Sequence, residues 1–207
     1  MNRYVMEFIG TFFLVFTVGM VSIDPSAGAL APIAIGAVLA AMIYAGGHIS
    51  GGHYNPAITL AVWMRGKATA GGAAAYWVAQ IVAGVAAAAV VLFLKDHSAT
   101  AATYDVVPAL VAEFLFAFAV CFMVLNVATA KSTEGNSYFG LAIGFTVLAG
   151  AYAVGSVSGA VFNPAVAVGI TIMGMLDLSS IWIYFVATML GGAAAALAFN
   201  ALKLSAD

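Results

Sequence analysis

The chain has 207 residues and a net charge of −2; 65% of its residues are apolar and only 7% charged, against roughly a quarter charged in ordinary soluble domains. Such a chain cannot hide its apolar surface from water, so lipid must cover it. No basic cluster calls for nucleic acid, and the single cysteine, Cys121, leaves neither an internal disulfide nor a thiolate metal cage, so no metal or cofactor is expected.

The first apolar stretch, Tyr4–Ile23, follows Arg3 and resembles a secretion signal. Glu7 interrupts it, it is long enough to span, and further spans follow, so it reads as a retained first helix. A second span covers Leu30–Gly47. The loop His48–Tyr54 then leads into Asn55-Pro56-Ala57 and a short apolar piece, Pro56–Met64. Spans three to five cover Gly71–Leu94, Val107–Ala130 and Tyr138–Gly155. The loop Ser156–Phe162 leads into Asn163-Pro164-Ala165 and a second short piece, Pro164–Gly174, before a sixth span at Ser180–Ala201. A full crossing needs about 20 residues, whereas each short piece reaches only about 15 Å, half a bilayer. The pattern predicts an all-α membrane protein with six transmembrane helices and two re-entrant half-helices.

With the N-terminus inside, Arg3, Arg65, Lys67, Lys131 and Lys203 lie on the inner side and only Lys95 outside, the asymmetry of cytoplasmic loops. Both termini are then cytoplasmic.

Asn55-Pro56-Ala57 and Asn163-Pro164-Ala165 stand 108 residues apart, about half the chain. Residues 34–60 and 142–168 share 12 identities in 27 positions, and Glu7-Phe8 matches Glu113-Phe114. The whole chain, 1–207, therefore reads as one channel domain made of repeats at about 1–100 and 105–207. Three spans is an odd number, so the second half lies upside down, which places a transport site near the midplane between the halves.

Asn before Pro is a helix-start signal: Asn caps, and Pro occupies the first position, where its missing N–H costs nothing. Two helices starting in mid-membrane would bring their positive ends together. The Gly- and Ser-rich loops, Gly51 and Gly52 among them, can run extended there and offer carbonyl acceptors, with the amides of Asn55 and Asn163 as central donors. Glu7 and Glu113 are carboxylates inside spans and need partners; their repeat-related positions favour bracing of loop N–H groups over a proton path. His48 is expected to hydrogen-bond beside the loop. His53 and His97 show no pattern that assigns a role.

With two Asn-Pro-Ala boxes, the string Gly47-His48-Ile49-Ser50-Gly51-Gly52-His53, and Glu-Phe in both halves, the chain resembles the aquaporin and aquaglyceroporin family over essentially its whole length. The resemblance implies one pore per protomer, a homotetramer, and Asn55 and Asn163 orienting solutes and helping to block proton hopping. It also implies a narrow outer filter of four residues, which falls on Ile35, Ala151, Ala160 and Val166. Water-selective relatives usually have Phe, His, a small residue and Arg there; glycerol-conducting ones have Trp, Gly, Phe and Arg. Val166 stands where the arginine normally follows the second box, and an arginine at a constriction donates hydrogen bonds and repels cations.

The expected activity is passive passage of small uncharged polar solutes: glycerol, urea, undissociated metalloid acids such as arsenous acid, and water. The alternatives are a water-selective channel, a junction protein with a vestigial pore, and a coupled transporter using Glu7 and Glu113. Very short loops argue against the junction protein, and no grouped nucleophile, base and acid supports an enzyme. By habit of the family, short termini and loops point to a prokaryotic inner membrane.

Overall fold

The computed structural model describes residues 2–202; Lys203, counted in the charge asymmetry, lies outside them. Backbone amides in hydrocarbon find no water, so a crossing segment must satisfy them internally. The described chain accordingly folds into eight α-helices: α1 Asn2–Ser22, α2 Ala31–Ser50, α3 Pro56–Met64, α4 Ala70–Lys95, α5 Val106–Thr129, α6 Phe139–Ser158, α7 Pro164–Ile172 and α8 Ile181–Ala201. Six of these segments are long and apolar enough to cross a membrane. The other two, α3 and α7, have 9 residues each.

The sequence reading placed two boundaries too early. α2 continues through His48, Ile49 and Ser50, and α6 through Ser156, Val157 and Ser158. The next residues stop them: Gly51 and Gly159 have φ of 91° and 84°, left-handed values that glycine adopts without a Cβ penalty. His48 therefore lies on a helix, not in the loop, and the non-helical stretches shrink to residues 51–55 and 159–163. α7 likewise ends at Ile172, two residues short of Gly174.

The repeat is kept in register. α2 and α6, and α3 and α7, begin and end at the same offset of 108 residues. Packing is reciprocal: α2 lies against α6, α3 against α8, and α7 against α4. A Cβ added at Gly36 would sit 2.8 Å from Gly144 O, and one at Gly144 2.5 Å from Gly36 O. A Cβ at Gly84 would sit 2.7 Å from Ala165 O, and one at its equivalent, Gly192, 2.6 Å from Ala57 O. Contacts that exchange partners in this way describe a two-fold axis, and it passes between Gly36 and Gly144. Each half-helix thus rests on the third long helix of the other half.

Many large apolar side chains face outward, and many alanines lie inward between the helices. Phe93, Phe145, Leu190 and Leu197 are exposed, while Ala83, Ala87, Ala88, Ala195 and Ala196 are buried. Lipid is as apolar as leucine, so close backbone packing has to hold the helices together. Gly84, Gly191 and Gly192 supply it. Gly71 and Gly72 do not: nothing lies within 4 Å of a Cβ at Gly71, and Gly72 meets only its cap, Thr69.

Gly192→Val should therefore lower the thermal unfolding temperature of detergent-solubilised protein, with an overpacking cost of about 1–3 kcal/mol or more. Gly71→Val should leave it close to wild type. Equal unfolding temperatures for the two variants would contradict this packing.

Candidate pore between the half-helices

Each loop that descends to a half-helix hangs on one carboxylate. Glu7 Oε1 accepts from Ser50 Oγ at 2.7 Å and His53 N at 2.9 Å; Oε2 accepts from Tyr54 N at 2.7 Å and Gln80 Nε2 at 2.8 Å. Glu113 Oε1 accepts from Ser158 Oγ at 2.7 Å and Val161 N at 2.8 Å, and its Oε2 from Phe162 N at 2.6 Å. Both glutamates are 0% exposed, so these bonds take the place of water. Tyr76 and Tyr184 add a hydroxyl to Ser50 O and Ser158 O, each at 2.7 Å.

Braced in this way, the loops deliver Asn55 and Asn163 to the N-termini of α3 and α7, with Pro56 and Pro164 in the first turn. Each asparagine oxygen is spent on its own helix: Asn55 Oδ1 accepts from Ala57 N at 2.8 Å, and Asn163 Oδ1 from Ala165 N at 2.9 Å. The amide nitrogens cross over. Asn55 Nδ2 donates to Phe162 O, and Asn163 Nδ2 to Tyr54 O, both at 2.9 Å. An amide nitrogen carries two hydrogens, so each keeps one N–H to offer. The centre of the molecule therefore presents donors only, backed by two positive helix ends.

A cavity of about 220 Å³ opens against both asparagines. Ile35, Ala151, Ala160 and Val166 all border it, as do Leu39, Val120 and Val147. Among the described residues no Lys or Arg borders it. Gly159, Ala160 and Val161 line it too, and no described group donates to their carbonyls.

His48 is exposed on the last turn of α2 and Gly51 on the turn after it; neither they nor Gly52 border this cavity or the polar one beside α4. The turn itself uses Gly51 and Gly52, both with positive φ. His53, given no role by sequence, borders both cavities. Its Nδ1 lies 3.0 Å from Thr59 Oγ1, and its ring packs edge-on against Tyr76 at 5.1 Å. Sequence reasoning also missed Tyr76, Gln80 and Tyr184. Extending the 108-residue offset would have paired Tyr76 with Tyr184; Gln80 has no such signal, since Thr188 stands at its equivalent.

Two half-helices meeting by their N-termini inside a six-helix membrane bundle, with one cavity lined by both, define a membrane channel. The family model for Major intrinsic protein matches residues 1–199, and the chain belongs to that family, whose members are channels and not enzymes. Aquaporin NIP1-4 of Oryza sativa subsp. japonica is 35% identical over 211 residues, which cover 97% of this chain and 77% of that protein. Nodulin-26 of Glycine max is 34% identical over 215 residues, covering 98% and 78%. Among solved structures, the aquaglyceroporin from Plasmodium falciparum matches with a TM-score of 0.80 over 96% of this chain and 95% of that one, at 17% identity; this match speaks for the fold.

Glu113→Gln keeps one acceptor oxygen but sets an amide donor against one or two of the three donors, and should cost about 1–3 kcal/mol for each group left unpaired. The thermal unfolding temperature in detergent should fall, and further for Glu7→Gln, where the new amide nitrogen faces two donors whichever oxygen it replaces. A proton relay would instead leave both temperatures in place and abolish uphill uptake in vesicles.

Proposed function

We propose that the chain is a passive channel for small uncharged polar solutes, with glycerol, urea, undissociated metalloid acids such as arsenous acid, and water as cargo. The observation that carries this reading is that Ile35, Ala151, Ala160 and Val166 all border one cavity that, among the described residues, no Lys or Arg borders. Its side chains offer no hydrogen bond, so the ring selects by size and by the cost of dehydration. A solute that passes it meets loop carbonyls as acceptors, then the paired Asn55 and Asn163 donors. Glycerol, urea and undissociated acids carry both donors and acceptors and can follow that sequence. An anion loses its hydration in the apolar ring, and a cation also meets the positive ends of α3 and α7. A central water that accepts from both amides points its own hydrogens away from the middle, which interrupts a proton wire.

In this reading residues 1–207 form one domain, four copies assemble into a homotetramer, and the N-terminus faces the cytoplasm. The sidedness is supported by the basic residues. Arg3 and Lys67 border one polar cavity, and Arg65 lies over the Phe199 ring at 5.1 Å, whereas Lys95 bonds Ile23 O and Pro25 O at the other ends of the helices. Short loops are what support a prokaryotic inner membrane; the relatives named above come from plants.

Val166→Arg should cut glycerol and urea entry into proteoliposomes by about tenfold, a barrier of roughly 1.4 kcal/mol, and water entry by less. Unchanged glycerol and urea entry would remove Val166 from the filter.

A further inference from the structure

The two-fold axis generates a second ring. At the offset of 108 residues, the equivalents of Ile35, Ala151, Ala160 and Val166 are Ile143, Ile43, Gly52 and Ile58. The axis lies at the level of the crossing asparagines, so this ring sits on the other side of them, toward the polar cavity that holds Arg3 and Lys67. The two rings differ in bulk. Isoleucine stands at 43 and 58, where the outer ring has alanine and valine.

They differ in the same sense in packing. Ile43, Ile58 and Ile143 are each 2% exposed and belong to one apolar cluster, whereas Ile35, Ala151 and Ala160 are partly exposed. The cavity takes in the whole outer ring but, of the inner one, only Ile58. The backbone leaves the inner ring little room to widen. α2 and α6, which carry Ile43 and Ile143, meet nearly backbone to backbone at Gly36 and Gly144. The loop lies in ordinary contact with α2: a Cβ on Gly52 would be 3.6 Å from Ile43 Cα and 3.4 Å from Gly47 Cα. Side-chain volume alone then sets the aperture.

We propose that Ile43, Ile58 and Ile143 form the narrowest point of the pore, an apolar constriction inward of the asparagines that limits both rate and solute size. This inference rests on the channel reading above. Three branched side chains without a polar atom cannot replace the hydration of a passing solute, and a constriction of that kind empties of water when it is tight. The wide outer ring admits solutes that the inner ring then sorts.

The test is stopped-flow entry of water, glycerol and urea into proteoliposomes holding wild type, Ile43→Ala or Ile143→Ala, with empty vesicles and chloride leak as references. Ile43→Ala should speed glycerol and urea entry by about tenfold, a barrier lowered by roughly 1.4 kcal/mol, with Ile143→Ala in the same direction and chloride leak at the empty-vesicle level. Should an alanine variant fail to fold, Ile43→Val and Ile143→Val trim one methylene each and should give smaller increases of the same sign. Wild type conducting above empty vesicles, with every trimmed variant at the wild-type rate, would overturn the inner constriction and leave the channel reading intact. No conduction by any of the proteins would sink the channel reading and this inference together.

Discussion

Everything in this molecule depends on how unpaired backbone is kept at membrane depth. Two loops of five residues leave the helical state in the middle of an apolar bundle, where an unsatisfied N–H costs several kcal/mol. Glu7 and Glu113 remove that cost, each gathering two loop amides and a serine hydroxyl onto one carboxylate. With the loops fixed, the asparagines reach the ends of the half-helices, and the crossed bonds from Asn55 to Phe162 and from Asn163 to Tyr54 lock one half onto the other. Without the carboxylates, the central donors would have no fixed place.

The same arrangement explains why both kinds of helix contact are glycine-rich. Each half-helix must come close enough to the opposite half for the asparagines to cross, and Gly84 and Gly192 allow α4 and α8 to lie against the carbonyls of Ala165 and Ala57. Gly36 and Gly144 do the same for α2 and α6 at the axis. In the proposed reading selectivity is layered on this frame by side chains that bear no part of its hydrogen bonding, so the rings can change in character while the scaffold stays the same. Val166 illustrates this: its backbone N–H lies 3.5 Å from the Asn163 cap, while its side chain borders the cavity.

Much of this was legible in the sequence, because the signals are local. Asn followed by Pro states a cap and a first turn within two residues, and both half-helices start where that chemistry puts them. The paired glutamates could be read because the repeat shows each of them twice. The ends of α2 and α6 were misread because His, Ser and Gly together look like a loop, whereas only the left-handed glycine ends the helix; this put His48 in the wrong setting. Gln80 and the crossed amide bonds were invisible, since they join residues 73, 107 and 109 positions apart and belong to neither periodicity nor motif. His53 was missed because its partners, Thr59 and Tyr76, form no recognisable motif with it.

Passive conduction of neutral solutes through an apolar filter is read out by light scattering of proteoliposomes of the unmodified protein after an osmotic jump with glycerol or urea. Both solutes should enter downhill well above empty vesicles, together with water. Fast water entry with glycerol and urea held at the empty-vesicle rate would contradict this and leave a water-selective channel.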